Sequence, residues 1–270
     1  MKLFILPSWT FSEEQCIIWN KMKPNNSNIE LVFQEPCDFY VVINNTNYPV
    51  EKKKTIFLNM EPFLFNNNFL DSYITIFPPQ KLNNIEWHIK YTYEELKILK
   101  FKKDKELSAI LSSKYFDEGH KKRIDLCKLI EYKNEFDIDI YGSNYFNWKK
   151  YKSSLPYHQK EIGLESYKYH INFENHQIKN YLTEKLIDGI LCECLVFYWG
   201  CPNVCDFLPL NSFIYLNENS LEENYNKIKF CISNNYYEKY YSNILKAKEI
   251  ILEKLQFFKR IEYFKDIKEE

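Results

Sequence analysis

A chain of 270 residues with 45% hydrophobic and 18% aromatic side chains can fill one large core or two ordinary ones, which excludes a disordered body. Its formal net charge of −1 excludes a bulk electrostatic binder of nucleic acid or anionic membrane, so any anion site has to be built locally. With only 5 glycines, glycine-rich phosphate loops of the Walker or GxGxxG type are excluded as well.

The predicted elements begin at once. Residues 2–6 are apolar and strand-like, and Pro7 closes the run. That run is shorter than the apolar region of a signal peptide and far short of a membrane span. With the 8 cysteines read as free thiols, the expectation is a cytoplasmic protein without signal peptide or transmembrane anchor. An amphipathic helix is predicted over 12–22 after a Ser12 cap. Strands follow at 29–33, 39–43, 55–59 and 72–77, and strands alternating with crossovers imply a parallel sheet. Pro78-Pro79 breaks the pattern, and the Lys-rich stretch 91–105 reads as a linker.

A second region opens with a strand at 107–112, a helix over 117–132 and a strand at 136–141 closed by Gly142. A helix at 159–167 leads into a strand at 169–173, then a polar loop, a helix, an apolar strand ending in Tyr198-Trp199-Gly200, and a last strand before Asn217. Beyond Leu216 the chain reads as helical, with Ile244, Ala247, Ile251, Leu255 and Phe258 on one apolar stripe. The expected organisation is a Rossmann-like domain over 1–95, a second over 96–235 and a C-terminal helix over 236–270 packing back on them.

Chemistry concentrates in the loop from Phe173-Glu174-Asn175 to Tyr181-Leu182-Thr183-Glu184-Lys185. An amide, a phenol, a carboxylate and an ammonium gather there around a helix start, where free backbone N–H groups attract anions. Such a set suits a sugar diphosphate. Upstream, Gly119-His120-Lys121-Lys122-Arg123 opens another helix; a charge run of this kind is usually a solvated face. In the first region the apolar strand 56–58 leads to Glu61, a carboxylate at the strand's C-terminal edge, where open α/β sheets place ligands.

The order FEN, YxTEK, an apolar strand ending in YWG, then P-x-SF resembles the α-1,3/4-fucosyltransferases, glycosyltransferase family 10. The resemblance implies an α/β fold of the GT-B class, two Rossmann-like domains facing a cleft. It also implies an inverting transfer of fucose from GDP-fucose to a glycan hydroxyl. By the same resemblance Lys185 neutralises diphosphate charge, Glu184 accepts hydrogen bonds from donor hydroxyls, Tyr181 and Asn175 orient the donor, and Arg123, ahead of Lys121 and Lys122, contacts the diphosphate. Glu61 becomes the expected general base. The segment 176–180 departs from the commoner family pattern of small or acidic residues before the Tyr.

Two metal motifs compete with this reading. Cys192-x-Cys194 with Cys201 and Cys205 could pass for a zinc cluster, but the first two lie about 200° apart around a helix end, and buried thiols are the expected reading. Asp137-Ile138-Asp139 has the D-x-D form of GT-A metal sites, yet falls in a predicted strand, where the two carboxylates merely share a face. The resemblance implies no metal and no cofactor beyond the donor, with Arg and Lys supplying the charge. Partners expected are a nucleotide sugar and a glycan or glycoconjugate, not a nucleic acid. A relative using another nucleotide sugar, or a non-catalytic glycan binder, are the alternatives.

Overall fold

The computed structural model describes residues 1–61, 85–216 and 220–269. The chain divides into two α/β units: residues 1–86, 91–98 and 252–270 form one, and 87–90 with 99–251 form the other.

In the first unit β1 (Lys2–Leu6), β2 (Glu30–Val32), β3 (Phe39–Ile43) and β4 (Thr55–Leu58) make a parallel sheet of order β2-β1-β3-β4. Every position of β4 is buried, as is every position of β1 after Lys2, as continuous apolar runs require when a parallel sheet is covered on both faces. Helix α1 (Ser12–Asn20) buries Gln15, Cys16 and Trp19. Its cap position is Phe11 and not Ser12, and no side chain caps it. The Thr10 hydroxyl instead donates to Glu14 in the first turn. The expected linker 91–105 contains a short helix, α2 (Tyr93–Ile98), because Tyr93 and Leu96, one turn apart, are both buried. The strand expected at 72–77 and the Pro78-Pro79 break lie outside the described residues.

The second unit holds β5 (Lys105–Leu111), β6 (Asp139–Gly142), β7 (Tyr151–Ser153), β8 (Tyr167–Phe173), β9 (Leu195–Trp199) and β10 (Phe213–Tyr215). They form a parallel sheet of order β10-β9-β8-β5-β6-β7. Strand β9 is buried at all its positions. Helices α3 (Glu118–Lys133), α4 (Glu184–Leu191), α5 (Leu221–Ser233) and α6 (Tyr236–Ile250) complete the unit. The helix expected at 159–167 is only a 3₁₀ turn, Lys160–Gly163, and Tyr167 already belongs to β8. Close packing explains the short turn: a Cβ on Gly163 would stand 3.1 Å from Ile110, and the Gly163 carbonyl accepts a bond from Ser108. At the end of β6, Gly142 has φ +95° and a Cβ there would fall 2.3 Å from the Leu111 carbonyl oxygen, so only glycine fits.

Residues 236–269 comprise α6, a π-helical turn at Ile251–Leu255 and α7 (Phe257–Glu269). Ile244 and Ala247 are buried in the second unit. Phe257 and Phe258 are buried in the first, where the Phe257 ring centroid lies 4.6 Å from that of Trp19. Among the described residues no helix is long and apolar enough to cross a membrane.

Candidate donor site

The second unit contains a cavity of about 260 Å³ beneath the start of α4. Its polar lining comes from the loop after β5, from α3, from the 3₁₀ turn, from β8 and its following loop, and from α4. In an open parallel sheet this is the carboxyl edge of the central strands, where connecting loops leave a crevice.

Helix α4 begins at a built cap. The Thr183 side chain accepts from the Lys185 N–H at 3.3 Å and donates to Glu174 at 2.6 Å. Glu174, fully buried, also accepts from the Thr183 N–H at 3.0 Å and the Tyr198 hydroxyl at 3.2 Å. Burial raises its pKa, opposed by Lys185 at 3.7 Å. Gly119 fits against the same loop: its N–H donates to the Asn175 carbonyl at 3.0 Å, and a Cβ there would stand 1.7 Å from the Glu174 carbonyl oxygen. The FEN segment therefore joins the starts of α3 and α4.

Of the residues singled out in the sequence, Arg123, Asn175, Glu184 and Lys185 all line this cavity. Arg123 is buried and donates to the Phe173 carbonyl at 3.2 Å and to Asn172 at 3.4 Å, leaving its Nε without a hydrogen bond. Burial depresses its pKa, and neighbouring acids including Glu174 and Glu184 oppose that shift. Lys121 is exposed, and Lys122 pairs with Glu118 at 3.1 Å and lies over the Trp199 ring. Burial works against the charge on Lys185, but Glu184 at 3.1 Å and Glu174 outweigh it and raise the pKa. Burial likewise works against the Glu184 carboxylate, yet Lys185 and Lys160 hold its pKa well below the usual range. Asn175 presents a buried Oδ1 without a hydrogen bond. Tyr181 is buried and does not line the cavity. Glu61 belongs to the first unit, exposed, just beyond the end of β4, with its carbonyl accepting from Asn59 at 2.8 Å.

The cavity also uses residues that the sequence did not single out. Lys160 lies 3.4 Å from both Glu184 and Asp188. Asp188 follows Glu184 by one helical turn, a spacing legible in the sequence. Its Oδ1 accepts from the His88 N–H at 2.8 Å, and burial raises its pKa. His170, on β8, is buried beneath them. The Ser108 hydroxyl donates to Gly163 at 2.6 Å, so at 2.8 Å the His170 Nδ1 must be the donor to Ser108. Burial, with Lys160 and Arg123 nearby, pushes the His170 pKa down to about 3. The ring is therefore neutral, and its Nε2 is an acceptor without a partner. Unpaired buried polar atoms cost stability; here Arg123 Nε, His170 Nε2 and Asn175 Oδ1 all belong to residues lining one cavity, which fits a polar ligand carrying both anionic oxygens and hydroxyl groups.

The two metal motifs are occupied otherwise. Asp137 precedes β6 and does not lie within it; it pairs with Lys150 at 2.8 Å. Asp139 pairs with Lys152 at 3.0 Å and accepts from the Tyr167 hydroxyl at 2.7 Å. The Cys194 thiol donates to the carbonyls of Leu164 and Tyr167, while Cys205 is exposed and Cys192 buried. Among the described residues no cluster of His, Cys, Asp or Glu is arranged to hold a metal ion.

Residues 101–259 match the model of glycosyltransferase family 10 (fucosyltransferase) C-term. The chain belongs to this fucosyltransferase family. A Helicobacter pylori protein named alpha-(1,3)-fucosyltransferase FucT is 33% identical over 127 residues, which cover 44% of this chain and 26% of that protein. The match thus spans about a quarter of the curated relative's length. A crystal structure of an alpha1,3-fucosyltransferase superposes with a TM-score of 0.61 at 19% identity, covering 100% of this chain and 90% of that one. A second, with GDP-fucose, gives a TM-score of 0.50 at 18% identity over 96% of this chain and 92% of that one. The fold is accordingly α/β of the GT-B class, as the motif order implied.

Proposed function

We propose that this chain is an inverting fucosyltransferase that takes GDP-fucose as donor and a hydroxyl of a glycan as acceptor, in the manner of the α-1,3-fucosyltransferases. The observation that carries the reading is the convergence of Arg123, Lys185, Glu184 and Asn175 on one cavity at a capped helix start, with unpaired polar atoms in its wall. Arg123 and Lys185 suit the two phosphates, and Glu184, held ionised, suits hydroxyl donors of the nucleotide sugar. The relative solved with GDP-fucose supports the choice of donor.

In this mechanism the acceptor oxygen forms a bond to the anomeric carbon of fucose as the bond from that carbon to the β-phosphate oxygen breaks. The bonding electrons stay on the phosphate, and Glu61 takes the acceptor's proton. Support for Glu61 is its exposed place beyond the carboxyl end of β4, the edge at which parallel sheets bind ligands. Arg123, Lys185 and the N–H groups at the start of α4 stabilise the departing diphosphate, so no metal is needed.

A thermal-shift panel tests the donor. GDP and GDP-fucose at about 100 times Kd should each add about 2.7 kcal/mol of stability, and UDP-, CMP- and dTDP-linked compounds much less. A preference for UDP- or dTDP-sugars would transfer the chain to another donor class.

A further inference from the structure

We propose that Lys160 is a third cation of the donor site, one that leaves Glu184 and Asp188 to meet the diphosphate as the sugar departs; the assignment rests on the donor reading above. The other two cations are more buried. Arg123 is buried and hydrogen-bonded to β8, and Lys185 is fixed by Thr183, Glu184 and Glu174. Lys160 is the most exposed of the three. It comes from the 3₁₀ turn, lines the cavity, keeps 27% of its side chain exposed, and stands 3.4 Å from each of its two carboxylates. Asp188 Oδ2, though buried, makes no hydrogen bond even to this lysine. A compact ammonium on a four-carbon stem, partly open to the cavity, can exchange carboxylate partners for phosphate oxygens without moving the backbone.

Transfer creates the demand for this charge. When the anomeric carbon–oxygen bond breaks, the electron pair remains on the β-phosphate and the diphosphate gains a negative charge, while the acceptor's proton goes to the base. Lys185 already shares its charge with Glu184 and Glu174, and no metal is invoked. A cation that binds the product GDP better than the donor GDP-fucose lowers the barrier by differential stabilisation. The plainer role for Lys160 is to neutralise buried Asp188, and the two roles make different predictions.

The test is calorimetric titration of GDP and of GDP-fucose into the wild-type chain, K160Q, K160R and the double variant K160Q/D188N, with fucosyl turnover measured in parallel. In K160Q, GDP should bind about tenfold more weakly, as expected for one partly screened charge contact, with a smaller loss for GDP-fucose and a fall in turnover. K160R should recover most of both. The double variant carries no unpaired Asp188 charge and keeps an acceptor for the His88 N–H, so it should fold as the wild type does and still bind GDP weakly. Equal losses for the two ligands, no loss, or full recovery of GDP binding in the double variant would overturn the assignment of Lys160 and leave the donor reading standing. A wild-type chain that binds neither guanosine compound would overturn the donor reading and this assignment with it.

Discussion

At the scale of single residues the proposed roles divide between Glu184 and Lys185, assigned to binding, and Glu61, assigned to proton transfer. Glu184 and Lys185 are mutual partners with strongly perturbed environments, whereas Glu61 is exposed in the other unit. Their substitutions should therefore fail in different ways. Glu61→Gln is nearly isosteric and cannot accept the acceptor's proton; turnover should fall by about 10² to 10⁴-fold while GDP affinity stays near wild type. Lys185→Ala removes a cation from the cavity and leaves buried Glu174 and Glu184 without it, so GDP binding should weaken and stability should drop. Calorimetry with GDP beside a turnover assay checks both. Near-normal turnover in Glu61→Gln would send the search for the base to another carboxylate.

At the scale of elements, the starts of α3 and α4 are tied through one loop, and Gly119 is where the tie can be tested. Its missing side chain admits the Glu174 carbonyl to 1.7 Å from where a Cβ would sit, so Gly119→Ala must push α3 off the FEN loop. Overpacking of this sort costs about 1–3 kcal/mol, which for a chain of this size lowers the melting temperature by several degrees. Arg123 rides on α3, so GDP affinity should fall as well; a variant with unchanged melting temperature and affinity would show that the loop yields freely. Strand 195–199 beside this tie was legible because a fully buried parallel strand reads as an apolar run, continuous in the sequence and in the sheet. The motif residues Arg123, Glu184 and Lys185 were legible through their order along the chain. Lys160 and His170 were not, since a 3₁₀ turn and a mid-strand position meet only in three dimensions; Asp188 stood at helical spacing from Glu184, but nothing in the sequence paired it with Lys160. The short helix within 91–98 was hidden by Glu94, Glu95 and Lys97, which flank a single buried stripe.

At the scale of the whole molecule, the question is how a chain of near-zero net charge would meet the diphosphate of the proposed donor. It gathers Lys114, Arg123, Lys160 and Lys185 around one cavity and sets Glu184 and Asp188 among them, so cations outnumber acids in this lining while the chain as a whole is near neutral. In the proposed mechanism these side chains take the part that Mg²⁺ or Mn²⁺ plays in metal-dependent transferases. Transfer should then persist in EDTA with most of its rate. The D-x-D carboxylates have other partners: exposed Asp137 and half-buried Asp139 are engaged by Lys150 and Lys152, and hydrogen bonding to Lys150 lowers the Asp137 pKa. Asp137→Asn should thus leave turnover close to wild type and alter stability by no more than an exposed ion pair contributes, about 0–1 kcal/mol. Assays with EDTA, with EDTA followed by Mn²⁺, and with Asp137→Asn decide the point. Loss of activity in EDTA that Mn²⁺ restores, joined to a large turnover loss in Asp137→Asn, would mean that the charge on the leaving diphosphate is met by an ion and not by Arg123 and its lysine neighbours.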